Sequence, residues 1–518
     1  MARLTDYTSY ADAQAHFSKD ALWALFDGDR ARLNIAHECL DRHPRGRTAV
    51  RIARAGSDSV AYSFGELADW SGCFANYLRG RGIGRGERVA IMLEPSLAFY
   101  AALFGAMKAG CVAVPLFTLF GPDGLRLRLD DCAPALLLLA PEKAALADVV
   151  DIPVVMADDA FLAQLADEPA AFVADTAADD MAMYQYTSGT TRALPEAVRH
   201  RHRAVVTVMI AALYGTGVRP GDRFMCPSSP AWGHGLWHGT VAPLALGVTI
   251  AAYAGKFEPG RLWQALMEFE ISNLSAAATH YRLLKNSGLA TGQRFALDKL
   301  TFTGEPIDSD TAAWAEATFG TAVRSIYGTT EVGVIIANYP GAADCPVKPG
   351  ALGKPVPGVE LAVRTPDGRS CAPDEVGEIM VRRGGSWVST RDRGHVDADG
   401  YFFHDGRADD VIISAGWTIG AVEVEDVLLK HPDVNEAAVI GVADAERGQV
   451  VKAFVVSPRP GDDGFACELQ DFVRTRLSAH EYPRRLAFVA TLPKTPAGKV
   501  NRRALRDAEN EKRQKETT

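Results

Sequence analysis

A chain of 518 residues is too long for a single hydrophobic core, which stops growing at roughly 250 to 300 residues, so two or more domains are expected. Hydrophobic residues make up 47% and the mean hydropathy is −0.03, the composition of ordinary globules. The formal charge of −9 argues against a nucleic-acid partner; no apolar run reaches the roughly 18 to 20 residues of a membrane span, and MARLTDYTSYADAQAHF lacks a basic-then-apolar leader, so a cytoplasmic protein is expected.

In chain order, the first clear element is a helix from Ser63, with Phe64, Leu67, Ser71, Phe74 and Leu78 on one face and Gly80, Gly82 and Gly84 to stop it. RVAIML (88–93) reads as a buried strand. PSLAFYAALFGAMKAG then reads as a helix with a proline in its first turn that ends at Gly110, and CVAVPL (111–116) as a second strand. This strand, helix, strand order implies a parallel sheet. ALLLLA, PVVMA, RFMCPSS and VTIAAYA continue the pattern, so an α/β architecture with helices on both sheet faces is expected.

RHRHR (199–203) is a short basic run, read as a solvated loop or helix start. Beyond Val359 the texture becomes alternating strands around the turn Pro366-Asp367-Gly368, a β-rich subdomain. A compact α+β segment follows, with helices in GAVEVEDVLLKHP and ACELQDFVRTRLS and strands in NEAAVIGV, VVKAFVVS and LAFVA. The division is expected at 1–408 and 409–518, with the charged tail NEKRQKETT frayed. Eight cysteines without a CxxC pair read as buried thiols, and no metal knuckle is implied.

Several motifs carry chemistry. TSGTT (187–191), with hydroxyls around a glycine after MAMYQY, suits phosphate oxygens, and equally a Ser/Thr turn. FTGEP (302–306) and SIYGTTE (325–331) each place a glycine and an acid just past an apolar strand, where ligands sit in open parallel sheets; capped turns would look the same. Asp392, Arg407, Asp409 and Asp410 could serve ribose or phosphate, or be solvated turn charges. Lys499 stands on the Pro/Gly-rich loop LPKTPAGKV.

The ordered set YTSGTT, GEP, YGTTE, a strand-turn aspartate, GRADD and PKTPAGK resembles the adenylate-forming superfamily of acyl-CoA synthetases, adenylation domains and luciferases, from about Leu33 to Leu505. NIAHECLDRH, FGPDGLRLRLDDC and the segment from Gly406 to Asp444 resemble its acetyl-CoA and medium-chain acyl-CoA synthetase branch. The resemblance implies a large N-terminal ATP- and acyl-binding domain and a small mobile lid. It also implies ATP, Mg²⁺ and CoA as reactants and is compatible with a homodimer.

Carried over by residue, Thr187, Ser188, Gly189, Thr190 and Thr191 would cradle the leaving pyrophosphate, and Gly304, Glu305 and Pro306 would line adenine and ribose. Tyr327 would stack on adenine, with Ser325, Gly328 and Thr329 beside the nucleotide. Thr330 would touch the α-phosphate, Glu331 would hold Mg²⁺, and Asp392 with Arg407 would take the ribose. Asp409 would be the hinge, Lys499 the lysine bridging carboxylate and α-phosphate, and Gly416 with Trp417 would line the pantetheine tunnel, where Thr418 replaces an arginine of the family. The phosphate loop departs from the family pattern: Arg192 to Ala197 lacks both glycines and puts Glu196 where a lysine is usual, so Arg192 is a candidate for the pyrophosphate contact.

Trp232, Gly233, His234, Thr303 and Gly328 would line the acyl pocket, the two glycines removing bulk so that an acid larger than acetate fits. His234 reads first as a core histidine and second as a substrate contact. Two rival readings are an enzyme that loads a carrier protein and a non-catalytic nucleotide- or acyl-binding descendant.

Overall fold

The computed structural model describes residues 4–186, 196–289, 294–304, 307, 309–329, 332–365, 367–407, 412–494 and 500–517. They form two compact units. One comprises Met1–Thr118, Cys132–Gln185 and Val198–Gly406, the other Leu119–Asp131, Tyr186–Ala197 and Arg407–Thr518.

In the first unit the helix expected from Ser63 runs Phe64–Gly80 and begins with a reciprocal cap. Glu66 N donates to Ser63 Oγ (3.1 Å) and Ser63 N to Glu66 Oε2 (2.7 Å). Its face of Phe64, Leu67, Ser71, Phe74 and Leu78 is buried against the helix Leu97–Lys108. A Cβ on Gly105 would lie 2.6 Å from Ser71 O, so glycine permits this approach. Contrary to expectation, Pro95 is outside that second helix: Ser96 is its cap, accepting from Phe99 N (3.2 Å).

The strand between these helices, Arg88–Met92, belongs to a six-stranded sheet in the order Val154–Met156, Leu136–Leu139, Arg88–Met92, Val112–Pro115, Met181–Tyr186, Ala197–Arg201. The first five run parallel. RHRHR is strand over 199–201 rather than loop, and then a turn whose Arg203 precedes the helix Ala204–Ile210, so the expected helix start is present at its end. Its period-2 alternation buries His202, half-buries His200, and leaves Arg199, Arg201 and Arg203 exposed.

A second sheet of thirteen strands is parallel through Arg223–Met225, Thr249–Ala254, Asn273–Ala277, Lys299–Thr303 and Val323–Thr329. It turns antiparallel at Gly333–Ala337 and continues through Leu361–Arg364, Gly377–Arg383, Ser386–Val396 and Phe402–Arg407, the β-rich part foreseen after Val359. The α/β class with parallel-rich sheets is therefore borne out.

The second unit is α+β. Strands Ile412–Ser414, Trp417–Ile419, Glu436–Asp444, Gly448–Val456 and Arg485–Phe488 form one sheet, covered by helices Ala421–Leu428 and Asp463–Arg476. The tail expected to fray is helical over Arg502–Thr517, and Glu509 receives a bond from Lys452 Nζ (2.6 Å). The helix Pro122–Cys132 brings Arg128 into this unit, where its Nη2 donates to Glu423 Oε2 (2.9 Å) with both side chains buried. All eight cysteines are free; six are buried, Cys371 is half-buried, and Cys467 is exposed, against the expectation for that residue.

Candidate functional site

The strands Lys299–Thr303 and Val323–Thr329 are parallel neighbours, with Leu300 opposite Val323 and Phe302 opposite Ser325. Their carboxyl ends carry Thr303 and Gly304 on one and Tyr327, Gly328 and Thr329 on the other, all half-exposed. Such an edge is where open parallel sheets take ligands. Ser325, by contrast, is buried two residues before Tyr327, so its side chain does not reach the open end.

Tyr327 Oη donates to Asp392 Oδ2 (2.6 Å), and His404 Nε2 lies 3.3 Å from Asp392 Oδ1. The two residues expected to meet adenine and ribose thus touch each other. Asp392 follows Arg391, whose φ of +62° is in the left-handed region, and its N–H donates to Thr390 Oγ1 (3.2 Å). His404, on the strand Phe402–Arg407 beside Ser386–Val396, was missed. Only the strand register, not the sequence, reveals it.

Gly328 meets a demand of its own. A Cβ there would lie 2.0 Å from Gly333 O and 2.7 Å from Val334 Cα, so glycine is needed for a close backbone crossing at the irregular pairing with Gly333–Ala337.

On the other side of the parallel strands, Trp232 and Gly233 precede the π-helical segment His234–Val241, and both are half-exposed. Thr303 lies on the strand paired with Asn273–Ala277, opposite Ala277. His234 is buried, with Nδ1 3.0 Å from Ser228 Oγ and Nε2 2.8 Å from Ser275 Oγ. Burial first, then His238 and His280, pull its pKa well below the ordinary value, so it is neutral. Both nitrogens are engaged by serine hydroxyls, as the core reading of this histidine expects. The Trp232 ring meets it edge-on at 5.5 Å.

In the second unit, Ala415 (φ +52°) and Gly416 (φ +78°) form a two-residue turn closed by the Ser414–Trp417 pair. Two successive positive φ values account for a glycine here on turn geometry alone. The Trp417 ring packs on His480 at 4.2 Å. Thr187, Ser188, Gly189, Thr190, Thr191, Arg192, Glu305, Pro306, Thr330, Glu331, Asp409, Asp410 and Lys499 lie outside the described residues, as do the side chains of Arg407 and Thr418.

The profile of the AMP-binding enzyme family matches residues 36–389, and that of the AMP-binding enzyme C-terminal domain matches 423–499. The chain is 30% identical to the acetyl-coenzyme A synthetase of Bacillus subtilis, covering 96% of this chain and 94% of that protein. It is 30% identical to a 4-hydroxybutyrate–CoA ligase of Metallosphaera sedula, over 88% and 86%. Among solved structures, an acyl-CoA synthetase of Brucella canis superposes with a TM-score of 0.73 at 32% identity, over 98% and 100%. With one family profile spanning well over half of its length, the chain belongs to the AMP-binding, adenylate-forming enzymes.

Proposed function

We propose that the protein is an AMP-forming carboxylate–CoA ligase: it joins a carboxylic acid to ATP as an acyl-adenylate, releases pyrophosphate, and passes the acyl group to CoA. The observation that carries this reading is the Tyr327–Asp392 bond at the open ends of two parallel strands. It sets a phenol ring beside a buried carboxylate, as a nucleoside with an aromatic base and a diol requires.

In this reading Asp392 accepts from the ribose hydroxyls, held by Tyr327 and His404, while Arg407 lies beside it. Thr187 to Thr191 cradle the phosphates with Arg192, Thr330 faces the α-phosphate, and Lys499 bridges it to the carboxylate oxygen. Adding charge-stabilising donors where the pentavalent phosphorus develops negative charge is the main catalytic need. Among the described residues no group of three acids, histidines or cysteines could hold a metal, so Mg²⁺ would be held by Glu331 together with the nucleotide's own phosphate oxygens, the usual division for this ion. It would neutralise charge on the leaving pyrophosphate.

The domain division at 408/409 with Asp409 as hinge, a CoA tunnel at Gly416 and Trp417, a cytoplasmic location and a homodimer belong to the same proposal. The acid is larger than acetate, whether medium-chain, branched or aromatic; the support is Gly233, Gly328 and the half-exposed Trp232 and Thr303. The relatives' names span acetate and 4-hydroxybutyrate, so kinship alone leaves the acid open.

The deciding experiment is carboxylate-dependent ATP–pyrophosphate exchange over acids from acetate to decanoate plus benzoates, followed by AMP release with CoA. Exchange and CoA thioester formation are expected. Exchange with transfer only to a carrier-protein thiol would favour the carrier-loading enzyme; no exchange with any acid would overturn the ligase reading.

A further inference from the structure

Beside Trp232 and Gly233, the interior holds polar atoms that are without partners among the described residues. Gln185 is fully buried on the strand Met181–Tyr186. Its Oε1 accepts from Trp237 Nε1 (2.9 Å). An indole N–H can only donate, so this bond fixes which end of the amide is oxygen and turns the NH₂ the other way. That NH₂ faces Gly233, where a Cβ would lie 2.6 Å from Nε2, and among the described residues neither of its protons meets an acceptor.

Two imidazoles add to it. His200, on the next strand, meets the Trp237 ring at 4.8 Å, and its Nε2 is buried and unpartnered. His238 Nδ1, one residue beyond Trp237, is likewise unpartnered. In a π-helical turn, residues four and five apart share a face, which groups Gly233 with Trp237 and His238. Both rings keep partial exposure while burial pulls their pKa to about 4, so they are neutral, and each offers one donor and one acceptor nitrogen. His234 is excluded from this set because Ser228 and Ser275 occupy it.

Buried polar groups are normally paired, and a group of unpaired ones is costly unless a ligand or ordered water completes it. The complement of an NH₂ donor beside imidazole nitrogens is a hydroxyl, which accepts from Gln185 and donates to an imidazole. A methyl group does neither, a ketone only accepts, and a second carboxylate would find no cation.

We propose that Gln185, with His200 and His238, forms a polar subsite that selects carboxylic acids bearing a distal hydroxyl, alcoholic or phenolic, over their unsubstituted counterparts. This rests on the placement of the acyl group against Trp232 and Gly233. Gln185 is the specificity-determining residue, since it alone is fully buried and fixed in orientation.

The test compares kcat/KM for matched pairs by pyrophosphate release: butyrate with 4-hydroxybutyrate, hexanoate with 6-hydroxyhexanoate, benzoate with 3-hydroxybenzoate, and adipate as the charged control. The hydroxylated member should lead by about 10-fold or more in at least one pair, with adipate no better than hexanoate. In Gln185→Leu that ratio should fall to about one, chiefly through the KM of the hydroxy acid. His238→Leu, with the thermal shift of the wild-type protein by each member of a pair, covers the case in which the Gln185 variant does not fold. Exchange with every pair at a ratio of one or below would overturn the subsite alone. No exchange with any acid would overturn the ligase reading and the subsite with it.

Discussion

Tyr327 donates to Asp392 across 65 positions of sequence, at 2.6 Å, and Asp392 is held on its other oxygen by His404. A hydrogen bond to a charged group contributes about 1.5 to 3 kcal/mol. Tyr327→Phe keeps the ring and removes this bond, so the KM for ATP should rise about 10-fold while the KM for the acid moves little. Steady-state kinetics with each substrate varied in turn checks this; equal rises in both constants would mean that the pair serves folding rather than nucleotide binding.

What was legible in the sequence was local. The helix from Ser63 and its face from Phe64 to Leu78 depend on residues three and four apart, and the structure has both. RHRHR carried a period of two, yet its charges masked the buried histidines. The backbone demand at Gly328 was not legible because the atoms that impose it, Gly333 O and Val334 Cα, come from a neighbouring strand. His404 and Gln185 escaped for the same reason: each acquires meaning only from a partner, Asp392 or Trp237, supplied by another element.

Gly328 yields a stability prediction. A methyl group placed 2.0 Å from a backbone oxygen must displace one of the two strands, and backbone offers no flexible end to yield. Gly328→Ala should therefore cost about 1 to 3 kcal/mol or more, the usual penalty of overpacking. Thermal or urea unfolding reads it directly. An unchanged midpoint would show that the crossing accommodates a methyl group.

The buried histidines predict acid lability of the first unit. Burial holds His43, His200, His202, His238 and His280 at a pKa of about 4, and His234 well below its ordinary value. Unfolded histidine takes a proton near pH 6.5, so between about 6.5 and 4 the unfolded chain binds more protons than the folded one. Stability is then full above pH 6.5 and falls as pH falls, by about 1.4 kcal/mol per pH unit for each histidine that stays neutral. Urea midpoints measured from pH 7.5 to 5 should drop steeply below 6.5; a flat profile would show these rings to be protonated in the folded state.

The second unit should respond in the opposite sense at higher pH. Arg128, Glu423 and Glu481 bring one guanidinium and two carboxyl groups into a single buried environment. One positive charge balances one carboxylate, and burial favours a proton on the other, raising Glu423 to about 7 and shifting Glu481 upward as well. For a carboxyl raised above its unfolded value, stability is full below about 4.5 and is lost as pH rises through the folded value. Glu423→Gln keeps an acceptor for Arg128 and removes the titration, so between pH 6.5 and 8, above the histidine window, the variant should lose less stability than the wild type, by about 0.8 kcal/mol. Parallel wild-type and variant profiles across that range would place the buried proton elsewhere.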